Sequence, residues 1–173
     1  VYGEPKYLPL DEEHPCAPVN PYGRTKLYIE EMLRDWVIAG DRNSAIILRY
    51  FNPIGAHSSG LIGENPTGTP NNLMPYIVDV AVGNRPHLNI FGDDYATRDG
   101  TGERDYIHVV DLAKAHVAAV SRTLEDTVEV LNVGTGSGTT VFELIEEFRL
   151  ASGIELQKEV VERRSGDIAS SVA

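Results

Sequence analysis

Tyr22 and Lys26 stand four residues apart, and this spacing can bring a phenol and an ammonium group together. On a helix, residues four apart share one face, with Cβ atoms roughly 5–6 Å apart. A free phenol titrates near ~10, so a tyrosine that removes a proton near neutrality needs a cation to favour its phenolate form. An ammonium about 4 Å away supplies an interaction of that size. The pair predicts a tyrosine base; the alternative is a surface tyrosine beside a solvated lysine.

The surrounding sequence predicts the helix that this chemistry requires. Asn20 suits the N-cap and Pro21 suits the first helical position. Gly40 suits the end of the helix. Between them, apolar residues recur at helical spacing: Ile29, Met32, Leu33, Trp36 and Val37.

A second tyrosine and lysine have the same spacing. Tyr2 and Lys6 also lie four residues apart, but Pro5 lies between them. Proline at that position breaks a helix, so the two side chains need not share a face. We therefore expect the chemistry at Tyr22 and Lys26 only.

Composition excludes several classes of function. The 173 residues carry a formal net charge of -11, which argues against binding to nucleic acid or to an anionic membrane surface. A few local arginines can still hold a phosphorylated small ligand. Cys16 is the single cysteine, and no metal-ligand spacing is visible, so we expect no internal disulfide and no metal. The sequence has no apolar run near ~20 residues and no signal-peptide pattern, so a cytoplasmic protein is expected.

Short apolar segments that suit strands alternate with amphipathic segments that suit helices, which indicates an α/β protein. The strand candidates are residues 45–51, 87–91, 105–109, 128–133 and 156–161. The helix candidates begin near Pro21, Leu73, Asp111 and Val141. A segment rich in Gly, Pro, Asn and Ser runs to Asn72, and its length suggests a functional loop. The opening Val1-Tyr2-Gly3 suits the end of a strand, so we expect the chain to begin inside a larger fold.

The remaining candidate sites each have a plain structural alternative. Gly134, Gly136 and Gly138 lie between a strand and a helix, but their spacing is not that of a dinucleotide fingerprint, and a tight turn is the better interpretation. Arg104 and Arg164 suit phosphate, since guanidinium groups match phosphate oxygens, yet each could pair at the surface with a neighbour such as Asp105 or Asp167. Asn71 and Asn72 could be helix caps.

Several long blocks, taken in order, resemble the UDP-galactose (UDP-glucose) 4-epimerases of the extended short-chain dehydrogenase/reductase family. The most specific are GENPTGTPNNLMPY at residues 63–76 and DGTGERDYIHVVDLA at residues 99–113. The others are Val1-Tyr2-Gly3, Asn20-Pro21-Tyr22-Gly23 with Lys26, LRYFNPIGAH at 48–57, NIFGDD at 89–94, NVGTG at 132–136 and RRSGD at 163–167.

The resemblance implies a domain organisation. Residues 1–52 and about 105–139 would be the C-terminal elements of a Rossmann-type NAD-binding domain, with its N-terminal half absent. Residues 53–104 and 140–173 would form a smaller α/β substrate-binding domain. The glycine-rich NAD loop would lie in the missing half, so we expect the chain alone to be inactive.

The resemblance also implies a mechanism. NAD would take a hydride from C4 of a UDP-hexose while Tyr22 removes the O4 proton. The 4-keto sugar would then turn over and receive the hydride on its other face. Lys26 would favour the phenolate and bind the nicotinamide ribose, and Phe51 would lie by the nicotinamide.

By the same resemblance, a set of residues would hold the UDP-sugar: Asn52, Asn71, Asn72, Leu73, Asn89, Ile90, Phe91, Arg104, Tyr106, Arg164 and Asp167. Ser171 would border the sugar, where a small residue would admit N-acetylhexosamines. The full-length enzyme is expected to be a homodimer. Two alternatives stay open: a sugar-nucleotide dehydratase or decarboxylase of the same family, and a UDP-sugar-binding module without catalysis.

Overall fold

The computed structural model describes residues 1–122 and 124–173, and it confirms the α/β class. The helices are α1 (Pro21–Ala39), α2 (Leu73–Ala81), α3 (Val109–Val120) and α4 (Val141–Ser152). The strands are β1 (Ala45–Tyr50), β2 (Asn52–Ile54), β3 (Leu88–Phe91), β4 (Glu103–His108), β5 (Val128–Val133), β6 (Gly138–Thr140), β7 (Lys158–Val161) and β8 (Ser170–Ser171).

Helix α1 begins and ends where the sequence predicts. The side-chain oxygen of Asn20 accepts a hydrogen bond from the backbone N–H of Gly23 at 2.8 Å, and Pro21 opens the helix. The N–H of Gly40 bonds back to the carbonyl of Val37 at the other end. The N-cap satisfies one of the free N–H groups of the first turn, and Tyr22 lies in that turn.

The apolar residues of α1 do not all face the core. Val37 is buried, but Ile29, Met32 and Trp36 are largely exposed. The physical reason is that Glu30 occupies the inner face, where it is buried against Arg49. An apolar stripe is thus left on the outer side of α1.

The strands form three separate groups. β1 and β5 pair in parallel from Ala45↔Val128 to Tyr50↔Val133. β4 lies between β2, which is parallel to it, and β6, which is antiparallel, and β8 also pairs with β4. β3 and β7 form a separate parallel pair.

The main hydrophobic cluster lies between α2, β3 and α4. Its buried members are Ile77, Leu88, Ile90, Ile145 and Leu156. Burying side chains of this size contributes about 1.5–3 kcal/mol each. This cluster fixes β3 beside α2, so that both elements can line one cavity.

Strands β2, β6 and β8 were not predicted. The sequence indicated that the first strand ends at Asn52–Gly55, but Asn52–Ile54 pairs with Tyr106–His108. Pro53 is tolerated because β2 is the edge of the described sheet, where no N–H is needed on its outer side. Strands of two or three residues carry too little periodicity to be recognised. The division into two interleaved domains stays a prediction.

Within residues 1–122 and 124–173, none of the helices combines the length and the apolar character that a membrane crossing demands.

Candidate functional site

Two adjoining cavities contain all the residues that the sequence singled out for binding or chemistry. The smaller cavity, of about 410 Å³, lies among α2, β3 and β4. Its wall includes Asn52, Asn71, Asn72, Leu73, Asn89, Ile90, Phe91, Arg104, Tyr106, Arg164 and Asp167. The larger cavity, of about 680 Å³, lies beside α1 and β1 and is lined by Tyr22, Lys26, Phe51 and Ser171.

The two cavities share a wall. Asn52, Asn72, Arg104, Asp167 and Ile168 line both of them. A single elongated molecule can therefore extend from one cavity into the other. The predicted nucleotide residues and the predicted catalytic residues thus face connected space.

Tyr22 and Lys26 have the geometry that their spacing predicts. The ammonium nitrogen of Lys26 lies 5.1 Å from the centre of the Tyr22 ring. Tyr22 is 72% exposed, because the first turn of α1 projects it into the larger cavity rather than into the core. The phenol is accessible to a ligand, with a cation held beside it.

The discarded pair behaves as expected. Tyr2 is buried, and Lys6 lies outside any helix, so the two side chains share no helical face. The Tyr2 hydroxyl donates to the side-chain oxygen of Asn132 at 2.5 Å. Burial raises the pKa of Tyr2, against the opposing effect of Arg49. Tyr2 is therefore a structural residue here.

Strand register brings several site residues together. Asn52 on β2 is directly opposite Tyr106 on β4. Arg104, two residues earlier on β4, is opposite Ser171 on β8. Burial raises the pKa of Tyr106, while the nearby Arg104 opposes that shift. β4 is thus the element that links the smaller cavity to the larger one.

Arg104 is a half-buried cation. Its guanidinium donates to two backbone carbonyls, Glu103 at 2.8 Å and Ala169 at 3.4 Å. Among the described residues it forms no ion pair with a carboxylate. Burial lowers the pKa of Arg104, and the negative charge of Asp167 acts in the other direction. A charge held from water in a cavity wall is well suited to an anionic ligand.

Asp105 does not pair with Arg104, so that surface interpretation was wrong. Asp105 is fully buried and accepts hydrogen bonds from the backbone N–H groups of Thr135 and Gly136 at 2.8–3.0 Å, and from the Thr135 hydroxyl at 2.7 Å. A Cβ on Gly134 would lie 2.6 Å from the same carboxylate. The glycine run is thus a tight turn, as predicted, and its N–H groups bind the protein's own carboxylate.

Arg164 faces the smaller cavity, as a phosphate ligand would, and also pairs with Asp167, as the surface alternative predicts. Its Nε lies 2.9 Å from an oxygen of Asp167, and its guanidinium stacks over the ring of Phe91 at 4.6 Å. Its side chain is more than half exposed at the mouth of the smaller cavity. A ligand anion would have to compete with Asp167 for this arginine.

The two asparagines precede α2. Asn72 occupies the N-cap position, but its side chain makes no capping bond and instead donates to Glu64 at 2.6 Å. Both asparagines are exposed and line the smaller cavity. The cap interpretation is correct for the position of Asn72 and wrong for its side chain.

Sequence reasoning missed several lining residues of the smaller cavity. Tyr76 follows Leu73 by three residues on α2, so helical spacing could have indicated it. Arg85 stacks on Tyr76 at 4.7 Å and pairs with Asp79 at 3.1 Å. Tyr95 is buried under Arg163, at 4.0 Å, and only the folded loop brings it to the cavity.

The fold and the two cavities define a class of protein. It is an α/β protein with parallel strands and a cavity bearing arginine and aromatic groups, joined to a second cavity that exposes a tyrosine and a lysine. Such a site suits a phosphorylated small molecule and proton transfer.

The profile of the NAD dependent epimerase/dehydratase family matches residues 1–134. The chain belongs to this family, and its fold is of the Rossmann type. A curated relative, UDP-glucose 4-epimerase from Mus musculus, is 56% identical over 175 residues, which cover 100% of this chain and 50% of the mouse protein.

Solved structures agree with this assignment. UDP-glucose 4-epimerase from Bifidobacterium longum, in complex with NAD+ and UDP, superposes with a TM-score of 0.96 at 50% identity and covers 100% of this chain and 52% of its own. The enzyme from Stenotrophomonas maltophila, with bound NAD and formylated UDP-arabinopyranose, gives 0.93 at 50% identity with the same coverage. The chain spans about half the length of the curated relatives it matches.

Proposed function

We propose that this chain provides the UDP-sugar site and the proton-transfer residues of an NAD-dependent UDP-hexose 4-epimerase. The reaction interconverts UDP-glucose and UDP-galactose through a 4-keto intermediate. The observation that carries the proposal is the shared wall of the two cavities, formed by Asn52, Asn72, Arg104, Asp167 and Ile168. A UDP-sugar anchored by its nucleotide in the smaller cavity extends its sugar towards Tyr22.

The smaller cavity holds the UDP portion. Arg104 and Arg164 bind the diphosphate, because both guanidinium groups face this space and Arg104 has only backbone partners among the residues that the structure describes. Asn89, Ile90 and Phe91 of β3 border the uridine, and Asp167 contacts the ribose. Asn52, Asn71, Asn72, Leu73 and Tyr106 complete the wall. A charge-assisted hydrogen bond contributes roughly 1.5–3 kcal/mol, so the arginines dominate affinity.

Tyr22 moves the O4 proton. Its exposed phenolate accepts the proton as C4 is oxidised and returns it after the sugar has turned over. Lys26, 5.1 Å from the ring, favours the phenolate electrostatically. The sugar is the loosely held part of the substrate, which allows it to rotate.

The residues of the larger cavity fit the nicotinamide end of NAD. The space is about 680 Å³, and Tyr22, Lys26 and Phe51 line it with a phenol, a cation and an aromatic face. When bound, NAD supplies a reversible hydride acceptor at C4. The 173 residues contain no G-x-x-G-x-x-G loop, and the glycine turn near Thr135 is taken by Asp105. Because the chain spans about half the length of its curated relatives, we assign the adenosine end to sequence outside this segment and expect no turnover by the segment alone.

Ser171 sets the room beside the sugar. It lines the larger cavity and is opposite Arg104 across β8 and β4. Since its side chain is small, the site accepts N-acetylhexosamines as well as hexoses. Conversion of UDP-N-acetylglucosamine by the full-length protein tests this extension. A full-length protein that neither binds nor converts this substrate would contradict it.

The full-length enzyme is a cytoplasmic homodimer in this proposal. The apolar stripe on the outer side of α1, with Ile29, Met32 and Trp36 exposed, supports an interface along this helix. Light scattering after gel filtration should give twice the monomer mass for the full-length protein. A monomer at micromolar concentration would contradict the dimer and leave the catalytic proposal intact.

The central test uses the full-length protein and the 173-residue segment side by side. With NAD and UDP-galactose, the full-length protein should form UDP-glucose, while the segment should bind UDP without turnover. Loss of water or of carbon dioxide from a UDP-sugar would indicate a dehydratase or decarboxylase instead. Binding without any reaction in the full-length protein would indicate a non-catalytic module.

A further inference from the structure

A buried ion pair lies on the inner face of α1 and takes no part in the binding and proton transfer described above. The side chains of Arg49 and Glu30 are 8% and 6% exposed, and their closest nitrogen and oxygen atoms are 2.6 Å apart. A second bond joins the Arg49 Nε to the other carboxylate oxygen at 2.9 Å, so the contact is bidentate. Buried ion pairs of this kind are weak sources of stability, because desolvation offsets most of the attraction.

Arg49 is fixed from three sides. Its second terminal nitrogen donates to the Tyr2 hydroxyl at 3.1 Å and to the backbone carbonyl of Glu12 at 3.2 Å. The guanidinium also stacks over the Tyr2 ring at 4.9 Å. These contacts leave Glu30 facing a rigid cation on β1, two residues before Phe51.

Glu30 follows Lys26 by one helical turn. Residues at this spacing share a face, so the carboxylate is within reach of the ammonium. Both side chains line the larger cavity, yet the Lys26 ammonium lies over the Tyr22 ring. A carboxylate attracts an ammonium more strongly than a neutral phenol does. Arg49 occupies one acceptor site on each oxygen of Glu30 and neutralises its charge, which weakens the attraction of Glu30 for Lys26.

The other titratable and charged groups around this cavity have separate partners or other positions. The N-terminal segment contributes the Val1 amino group and Tyr2, β1 contributes Tyr50, and the shared wall contributes Arg104 and Asp167. Asp167 is paired with Arg164. Arg34, one turn beyond Glu30 on α1, is a second cation that a released Glu30 could reach.

We propose that Arg49 is a positioning residue that binds Glu30 and thereby keeps Lys26 beside Tyr22. The effect of Arg49 on catalysis rests on the proposed function, in which Tyr22 transfers the O4 proton. The effect of Arg49 on the protonation of Tyr22 does not depend on that function, so it can be measured directly.

The direct test follows the Tyr22 phenol by NMR in full-length protein carrying ¹³Cζ-labelled tyrosine, with the signal assigned from Tyr22→Phe. In Arg49→Met, the pH at which this signal changes should rise by about one unit, since Lys26 leaves the phenol for Glu30. In the double variant E30Q/R49M, this pH should return to within about 0.3 units of the wild-type value. In Arg49→Lys, it should stay at the wild-type value. If R49M does not fold, R49Q and E30Q/R49Q give the same comparison, since glutamine removes the positive charge while its polar side chain is better tolerated beside the carboxylate.

A shift in the kinetics should accompany the NMR result. In R49M, the rising limb of the plot of kcat against pH should shift to higher pH, while KM stays within about 2-fold of the wild-type value. The double variant E30Q/R49M should reverse this shift. The role of Arg49 is overturned if the titration of the Tyr22 signal is unchanged in R49M, or if E30Q does not reverse the change. Pairing of the released Glu30 with Arg34 would leave the titration unchanged. A wild-type protein that does not epimerise UDP-sugars overturns the proposed function, while the NMR comparison still decides the role of Arg49.

Discussion

The two cavities differ in how their principal residues are held. In the smaller cavity, Arg104 is half-buried and Ile90 is fully buried, and the hydrophobic cluster between α2 and α4 supports the wall. In the larger cavity, Tyr22 is 72% exposed and lies on the first turn of a helix. Arg104 and Ile90 are therefore preorganised by packing, whereas Tyr22 lies at the surface.

In the proposed function, this difference separates recognition of the nucleotide from chemistry at the sugar along one chain. Preorganised groups bind a ligand without paying to be ordered, so the segment should bind a nucleotide by itself. In the proposed function, the exposed tyrosine acts when a cofactor and a sugar exclude water around it. Substitutions at Tyr22 and at Arg104 should each affect one function and spare the other, and two further substitutions test the folding stability of the elements around them.

The largest effect is expected at Tyr22. Tyr22→Phe in the full-length protein removes the proton acceptor, and general acid–base groups contribute typically ~10²–10⁴-fold. We expect kcat for UDP-galactose to fall by that factor while the dissociation constant for UDP, measured by calorimetry, stays within about 2-fold. Tyr28→Phe, an exposed tyrosine on the same helix, is the matched control and should leave both unchanged. Equal losses in both variants would contradict the assignment.

A large effect on stability is expected at Asp105, which lies on β4 between the cavities. Asp105→Asn turns an NH₂ group towards the N–H groups of Thr135 and Gly136 and leaves buried donors unsatisfied. The cost should be about 3 kcal/mol of unfolding free energy in urea. Asp111→Asn removes an exposed partner of Lys114 and should cost less than about 1 kcal/mol. Similar costs for the two variants would show that the turn does not depend on Asp105.

An intermediate effect is expected at Arg104. Arg104→Met in the segment should weaken UDP binding by about 10- to 100-fold, because the half-buried cation has no carboxylate partner among the described residues. Arg164→Met should cost less, since Arg164 is exposed and already paired with Asp167. Arg122→Met, which removes a surface pair with Glu129, is the control. A larger loss of UDP affinity in Arg164→Met than in Arg104→Met would show that burial of the arginine does not determine its contribution to binding.

The smallest effect is expected in acid, at the start of α4. Hydrogen bonds from Arg98, with the backbone N–H of Thr140, lower the pKa of Glu143 to about 2. Between about pH 4.5 and 2 the unfolded carboxyl binds a proton that the folded one does not, so stability falls as the pH falls through this range. Thermal melting followed by circular dichroism should show a shallower decline for Glu143→Gln than for the wild type. Glu147→Gln, on the exposed side of α4, should retain the wild-type slope.

Much of the fold was readable because strong local signals agreed with the final packing. Asn20, Pro21 and Gly40 define α1, and residues 128–133 form β5 as predicted. The inner face of α1 was not readable, since a buried Glu30 contradicts apolar periodicity and depends on an arginine 19 residues away. The short strands β6 and β8 exist only because β4 offers them partners.

The sequence predicted which residues line the candidate site better than it predicted how they are arranged. The spacing of Tyr22 and Lys26 and the long sequence blocks identified residues that line two connected cavities. The direction of Asp105 could not be deduced, because adjacent strand residues alternate sides and the partner turn lies about 30 residues further on. Tyr95 and Arg85 reach the smaller cavity through loops whose course is set by tertiary contacts.

The pairing of Arg104 with Ser171 across β4 and β8 has a consequence for protein engineering. Opposite residues on paired strands move together, so a bulkier residue at 171 that displaces β8 will also displace the guanidinium on β4. In the proposed function, selectivity for the size of the sugar and affinity for the nucleotide are then mechanically linked. Libraries that vary position 171 alone should trade one property for the other, and compensating changes are best sought at Ala169, whose carbonyl accepts from Arg104.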